Sequence, residues 1–274
     1  MLAIIRGAGD IATAIALRLW RSGISVVMTE IEQPLTVRRT VAFSEAVRLG
    51  QVKVEGILAI RVQDAVQAKE VLERKNAIPV LIDPDCRCIE LKPDVVVDAI
   101  LAKRNLGTTM HMAPVVVGVG PGFTAGEDCH AVVETMRGHT LGRAYYQGSA
   151  LPNTAVPGLV GGFAGERVLR APADGLFRGV CAIGDHVEEG QVVAYVGDAP
   201  VVAMLTGVLR GLIADGVRVS EGLKCGDVDP RGDARYCRLV SDKGLSVAGG
   251  VLEAILCLSG ILGNNDNNGK VNHA

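Results

Sequence analysis

Aromatic side chains are scarce in this chain, at 3% of residues with one Trp. Proteins that hold single-stranded nucleic acid depend on such rings as stacking platforms, so that class is excluded. An excess of basic charge is missing too. The 28 Lys and Arg face 30 Asp and Glu, a formal net charge of -2, which argues against a dedicated nucleic-acid binder. No run approaches the roughly 18 to 20 apolar residues that cross a bilayer. The first residues carry neither the basic leader nor the cleavage site of a signal peptide. No P-loop, zinc-protease or nucleophile-elbow motif is present, so common NTPase, metalloprotease and α/β-hydrolase readings lack their signatures. No pair of CxxC motifs marks a zinc site, and no metal is expected. The seven Cys are scattered and odd in number, which predicts reduced thiols in the cytoplasm.

What is present is a core-forming composition. Of the 274 residues, 49% are hydrophobic and 21% charged, enough to bury one large and one smaller domain. Short apolar runs alternate with amphipathic stretches in the first part of the chain. Leu2 to Ile5, Ile24 to Met28, Val52 to Ile60, Ile78 to Ile82, Val95 to Val97 and Val115 to Val119 read as strands. Ile11 to Trp20, Val37 to Leu49 and Asp64 to Arg74 read as helices. Strand and helix in repetition predict an α/β fold with a Rossmann-like parallel sheet over residues 1–150.

Composition shifts at Gly148 to Gly165, which hold seven Gly and Pro residues, the mark of a linker. Beyond it the chain repeats itself. Gly175 to Gly190 aligns with Gly207 to Gly222, and eight of the sixteen positions are identical, including four Gly pairs and Arg178 with Arg210. Two such β units closing on each other predict a small all-β barrel or sandwich over residues 166–232. A helix covering Gly249 to Leu258 is expected to lie within a 240–262 segment that packs back on the first domain. The Asn-rich stretch within 263–274 is expected to be a disordered tail.

Arg6-Gly7-Ala8-Gly9-Asp10-Ile11-Ala12 sits where a dinucleotide fingerprint belongs, after the first strand and at the start of the first helix. Gly7 permits a tight turn, Gly9 lets a phosphate approach the backbone, and Ala12 stands at the third glycine position. Glu30 ends the second strand, where a carboxylate accepts ribose hydroxyls. Asp10 would repel a phosphate, and Arg6, Arg38 and Arg39 are candidates to offset it. A second cluster opens with the turn Gly120-Pro121-Gly122. Thr124 and Glu127 fit a capping box, predicting a helix that places His130 and Glu134 on one face beside Cys129. Cys129, His130 and Glu134 are thus candidate nucleophile, base and orienting group. On the residues alone, a nucleotide-like small molecule, an NAD(P)-dependent oxidoreductase and a non-catalytic nucleotide-binding or docking module all stay open.

Several segments together resemble one family. Gly7 to Ala12, Val26 to Pro34, Gly118 to Gly126, Asp128 to His139, Pro152-Asn153, Glu166 to Gly175 and Gly249 to Ile255 are similar to the YqeB-type accessory proteins of selenium-dependent molybdenum hydroxylases. The first domain is more distantly similar to XdhC-type proteins. The resemblance implies a cytoplasmic maturation factor that binds the molybdenum cofactor, its nucleotide form or a precursor. It implies a molybdenum hydroxylase as target enzyme and leaves room for a homo-oligomer. It makes Cys129 the first candidate to receive sulfur or selenium. The repeat region resembles a biotinyl/lipoyl-like barrel-sandwich. The hairpin at Gly197-Asp198-Ala199-Pro200 has no Lys, so a swinging-arm carrier is rejected.

Overall fold

The computed structural model describes residues 1–154 and 156–262. The expected tail, 263–274, lies outside the described residues. The strands are β1 (Leu2–Arg6), β2 (Ser25–Glu30), β3 (Gln51–Val54), β4 (Ile57–Val62), β5 (Ile78–Ile82), β6 (Val95–Asp98), β7 (Val115–Val119), β8 (Thr124–Ala125), β9 (Ala131–Val133) and β10 (Ala144–Tyr145). They continue with β11 (Gly148–Ser149), β12 (Val168–Arg170), β13 (Gly175–Gly179), β14 (His186–Val187), β15 (Val192–Val196), β16 (Ala199–Val202), β17 (Gly207–Leu212), β18 (Arg218–Val219) and β19 (Lys224–Asp229). The helices are α1 (Asp10–Arg21), α2 (Glu45–Leu49), α3 (Ala65–Arg74) and α4 (Asp242–Ser259).

Nine strands form one large sheet in the order β10-β9-β7-β6-β1-β2-β5-β4-β3. The seven inner strands pair in parallel, and Val- and Ile-rich runs such as Ile4-Ile5 and Val95-Val96-Val97 are buried between the layers on either face, as such strands require. Helix α1 places Ile15 and Leu19 fully inside, each worth about 1.5–3 kcal/mol of burial. Asp64 caps α3 through the Gln67 N–H at 2.9 Å, and Ser241 caps α4 through the Gly244 N–H at 3.1 Å. Helix α4 lies against α1, where Gly244 faces Ala14 without a side chain between.

The expected fold class does not hold. The large sheet is mixed rather than parallel, because antiparallel pairs close both edges: β3 with β4, and β10 with β9. The run expected as one strand at Val52 to Ile60 is this β3–β4 hairpin. It reverses at Glu55-Gly56, both at positive φ. Val37 to Leu49 is not one helix but a single 3-10 turn at Arg39–Val41 followed by the short α2. The helix expected after Thr124 is absent. Ala131-Val132-Val133 is β-branched and wholly buried, and it joins the sheet as β9.

The repeat region is two four-stranded antiparallel sheets, β12-β19-β17-β14 and β16-β15-β13-β18, and not the expected barrel-sandwich. No strand pairing links the two sheets among the described residues. They share one core through Leu169, Phe177, Val187, Leu209 and Val219. The repeat sets the pairing: β13 of the first copy pairs with β18 of the second, and β17 of the second with β14 of the first. This unit joins the large sheet along the segment after β2. There the Leu212 N–H donates to the Val37 carbonyl at 2.9 Å, and Arg39 Nε to the Leu212 carbonyl at 2.7 Å.

Candidate functional site

The order of the large sheet makes β1 a divide: the chain leaves it toward β2 on one side and returns to β6 on the other. A crevice opens at the carboxyl ends of strands at such a point. Here it is a cleft of about 1010 Å³, walled by the turn after β1, the ends of β2 and β6, Ser241 and Lys243 at the start of α4, and Arg170, Arg210 and Lys224 from the antiparallel unit. Gly7 is required at its floor. Its φ is +92°, and a Cβ would press on the Ala99 carbonyl oxygen at 3.0 Å and the Ile100 backbone at 3.1 Å.

Gly7, Gly9, Asp10, Ala12, Glu30 and Arg38 all line this cleft. Gly9 is the extended N-cap of α1 and caps it with no side chain, so the first-turn N–H groups face the cleft without an intrahelical acceptor. Asp10 is held by Arg38 at 3.6 Å. Arg38 is nearly buried and donates twice more, to the Tyr236 and Leu239 carbonyls at 2.9 Å each. Glu30 turns back on the turn itself. Its carboxylate accepts the Ala8 N–H at 3.0 Å and the Ile31 N–H at 2.8 Å. Burial raises its pKa, and those two hydrogen bonds pull the other way.

Other expected site residues lie elsewhere. Arg6 is buried on Asp98 at 3.3 Å and on Thr108, and does not reach Asp10. Arg39 is spent on Leu212 and on Glu45 at 3.3 Å. Gly120 and Gly122, at φ +80° and +109°, make close backbone passages beside Thr135 and Arg104 rather than lining the cleft. The proposed trio does not converge. His130 Nδ1 accepts the Val116 N–H at 3.0 Å, and its pKa is lowered, by burial first and by His111 second. Glu134 is wholly buried and accepts the N–H groups of Thr135, Met136 and Leu151 at 2.6, 2.7 and 2.8 Å, fixing the loops around it. Cys129 is fully buried, and burial pushes its thiol up to about 12. A thiol there is neither ionised nor reachable. Native protein at pH 7 is therefore expected to leave Cys129 unlabelled by iodoacetamide while the half-buried Cys181 and Cys257 react. Mass spectrometry of the labelled peptides checks this, and prompt Cys129 labelling would show the site to be open.

What the sequence did not point to is the basic lining. Eight Lys and Arg face the cleft against three acids, Asp10, Glu30 and Asp227. They come from segments far apart in the chain, and only two carried a signal: Arg38, as a candidate to offset Asp10, and Arg210, as a position kept between the two repeats. Asp227 is buried and accepts from Arg167 and Arg210, with Lys224 Nζ at 3.7 Å. Asp229 accepts from Arg210 at 3.1 Å and from Arg231. Arg167, Arg210 and Lys224 thus share Asp227 in the cleft wall, and Asp229 and Arg231 stand behind it. The arrangement suits an anionic ligand, whose field lines a narrow cleft concentrates. Among the described residues no group of three or more His, Cys, Asp or Glu is placed to hold a metal ion, and no helix is long and apolar enough to cross a membrane.

No family model matches the chain. It is 52% identical over 258 residues to an uncharacterized protein, YqeB, of Escherichia coli (strain K12). The match covers 94% of this chain and 48% of that protein, so the chain spans about half the length of the curated relative it matches. Among solved structures it is distantly similar to an aspartoacylase family protein from Mesorhizobium loti, at 14% identity and a TM-score of 0.26 over 83% of this chain and 84% of that one. It is similar to the same degree to a succinylglutamate desuccinylase from Silicibacter, at 15% identity and a TM-score of 0.25 over 83% and 84%. Likeness this weak establishes neither a shared fold nor a hydrolase activity.

Proposed function

We propose that this chain is a maturation factor for a molybdenum hydroxylase and that the cleft holds the nucleotide-bearing molybdenum cofactor or a precursor of it. The observation that carries the reading is the cleft itself: open first-turn amides of α1 and eight basic side chains around about 1010 Å³, a volume of the size that cofactor sites have. The residues present fit the group. Arg38 and Arg167 are both more than nine-tenths buried in the cleft wall, and the Nε–H of each lacks an acceptor on the protein. Apolar Ile31, Leu35, Leu151 and Val156 on the rim suit a planar ring system. Arg38, Lys224 and Lys243 would hold the phosphates. The bound group would supply the metal centre that the target enzyme uses. The resemblance to the YqeB-type accessory proteins and the identity to the E. coli relative support the pathway. Selenium or sulfur transfer on Cys129 forms no part of this reading, because that thiol is sealed in the core.

Thermal unfolding against CDP, CTP, GTP, NAD, NADP and isolated molybdenum cofactor tests it. A ligand at about 100 times its Kd adds about 2.7 kcal/mol. Stabilisation by the cofactor or the cytidine nucleotides is expected. A shift with NAD or NADP alone would replace the reading with an oxidoreductase. Gly9→Ala sharpens the test. Its Cβ would meet no atom closer than the Thr36 Oγ1 at 3.8 Å, so the fold should lose about 1 kcal/mol or less. The ligand-induced shift should shrink, because the methyl blocks close approach to the helix end.

A further inference from the structure

We infer that the anionic group of the ligand is a diphosphate, and that it sits between Lys224 and Lys243 and so ties the antiparallel unit to the large sheet. The inference rests on the cleft being the ligand site and adds where, and by what chemistry, the ligand is held.

The turn after β1 is a poor phosphate cradle in this chain. The Ala8 N–H, which would point at a phosphate there, is taken by the Glu30 carboxylate at 3.0 Å. An anion over that turn meets a carboxylate instead of a donor. Positive charge gathers further along the cleft. Lys224, on β19, and Lys243, in the first turn of α4, both line it, and both lie close enough to Asp10 to feel its charge. Neither has its charge cancelled. Lys224 shares Asp227 with two guanidinium groups. Asp10 is paired with Arg38 and Asp242 with Arg137, and among the described residues Lys243 forms no ion pair of its own. Desolvation lowers the pKa of both lysines, Asp10 opposes it, and each also feels neighbouring cations, so an anion placed between them would favour the charged form of both.

Two helices also begin here, α1 at Gly9 and α4 at Ser241. Each brings the positive end of its dipole to the cleft, α1 with no side-chain cap on its first-turn N–H groups and α4 with its Gly244 N–H already held by Ser241 Oγ. Arg38 and Arg167 stand in the wall, more than nine-tenths buried, each with an Nε–H that has no acceptor. Two separated lysines and two helix ends exceed what a single phosphate can use, and they match two linked phosphates. Lys224 belongs to the antiparallel unit and Lys243 to the helix that packs on the large sheet, so one diphosphate touching both bridges the two.

The test is calorimetric titration of the full chain with inorganic pyrophosphate and with orthophosphate. Pyrophosphate should bind at least tenfold more tightly. Lys224→Gln and Lys243→Gln should each weaken it about tenfold, and Lys69→Gln, on the exposed face of α3, should leave it unchanged. Melting temperatures without ligand establish that each variant folds, and the two lysines sit on different elements, so loss of one variant leaves the other. Equal affinity for the two anions, or unchanged pyrophosphate affinity in both lysine variants, overturns the inference. Titration with CDP separates the two levels. CDP binding that persists without lysine dependence removes the diphosphate placement and leaves the cleft as the ligand site. Absence of binding by pyrophosphate, CDP and the isolated cofactor removes both.

Discussion

Asp227→Asn is expected to lower the melting temperature by about 6–20 °C, more than any surface substitution in this protein. Asp227 has no exposed surface. One oxygen accepts from Arg167 and the other from Arg210, whose Nε lies at 2.8 Å. Asn keeps the shape but removes the charge, and it turns an NH2 group toward guanidinium donors. Arg167 then stays buried without a counter-ion, and Arg210 keeps only Asp229 at 3.1 Å, which it shares with Arg231. Breaking a buried pair from one side costs about 3–5 kcal/mol, and in a domain of this size each kcal/mol moves the midpoint by about 2–4 °C. Asp85→Asn is the control. Asp85 meets Arg87 at 3.4 Å, with both side chains mostly exposed, and its loss should leave the midpoint unchanged. A shift below about 2 °C for Asp227→Asn would mean that water, not Asp227, compensates the arginines.

A second expected result is a change of sign between adjacent glycines of α4. In a helix interior, Ala is favoured over Gly by about 0.8–1.0 kcal/mol. Gly249 has nothing within 4 Å of the place its Cβ would take, so Gly249→Ala should raise the midpoint by about 2–4 °C. At Gly250 the same methyl would overlap the Gly142 carbonyl oxygen and press on Val133 Cγ1 at 3.0 Å. Gly142 cannot retreat, since its φ is +80° and its own Cβ position is filled by Ser246. Helix α4 must then lift from the strands beneath it, and overpacking of that kind costs about 1–3 kcal/mol. Scanning calorimetry of the two single variants decides the matter. A rise in both would show that α4 is not seated as closely as described.

The sequence was legible where local chemistry and tertiary structure agree. The β1 turn and α1 were readable because Gly7 needs positive φ and because Ile11, Ile15 and Leu19 keep a helical period. The repeated β unit was readable from its matched glycines, which stand at turns such as Gly184 and Gly216, both at positive φ. Errors arose where a short pattern mimicked another. Thr124 and Glu127 looked like a cap, but the Asp128 carboxylate accepts the Thr124 N–H at 2.8 Å in a tight turn, and His130 and Glu134 flank the two ends of β9 rather than share a helix face. The β3–β4 hairpin was missed because Glu55, not Asn or Asp, precedes Gly56. The parallel reading of the whole sheet failed with it. The basic cleft was illegible for a different reason. Arg137, Arg167, Lys224 and Lys243 lie on unrelated segments, and no local spacing says that they meet one another or Arg38.

The two antiparallel pairs at the sheet margins bear on how copies of this chain can associate. β10 offers a partner only two residues, and β3 only four, with Gln51 and Lys53 turned outward. Margins this short, one of them carrying Lys53, discourage the addition of a foreign strand. Continuous β-augmentation onto the large sheet is therefore disfavoured at both of its edges, so contacts between copies at this sheet would be made by side chains rather than by a shared backbone ladder.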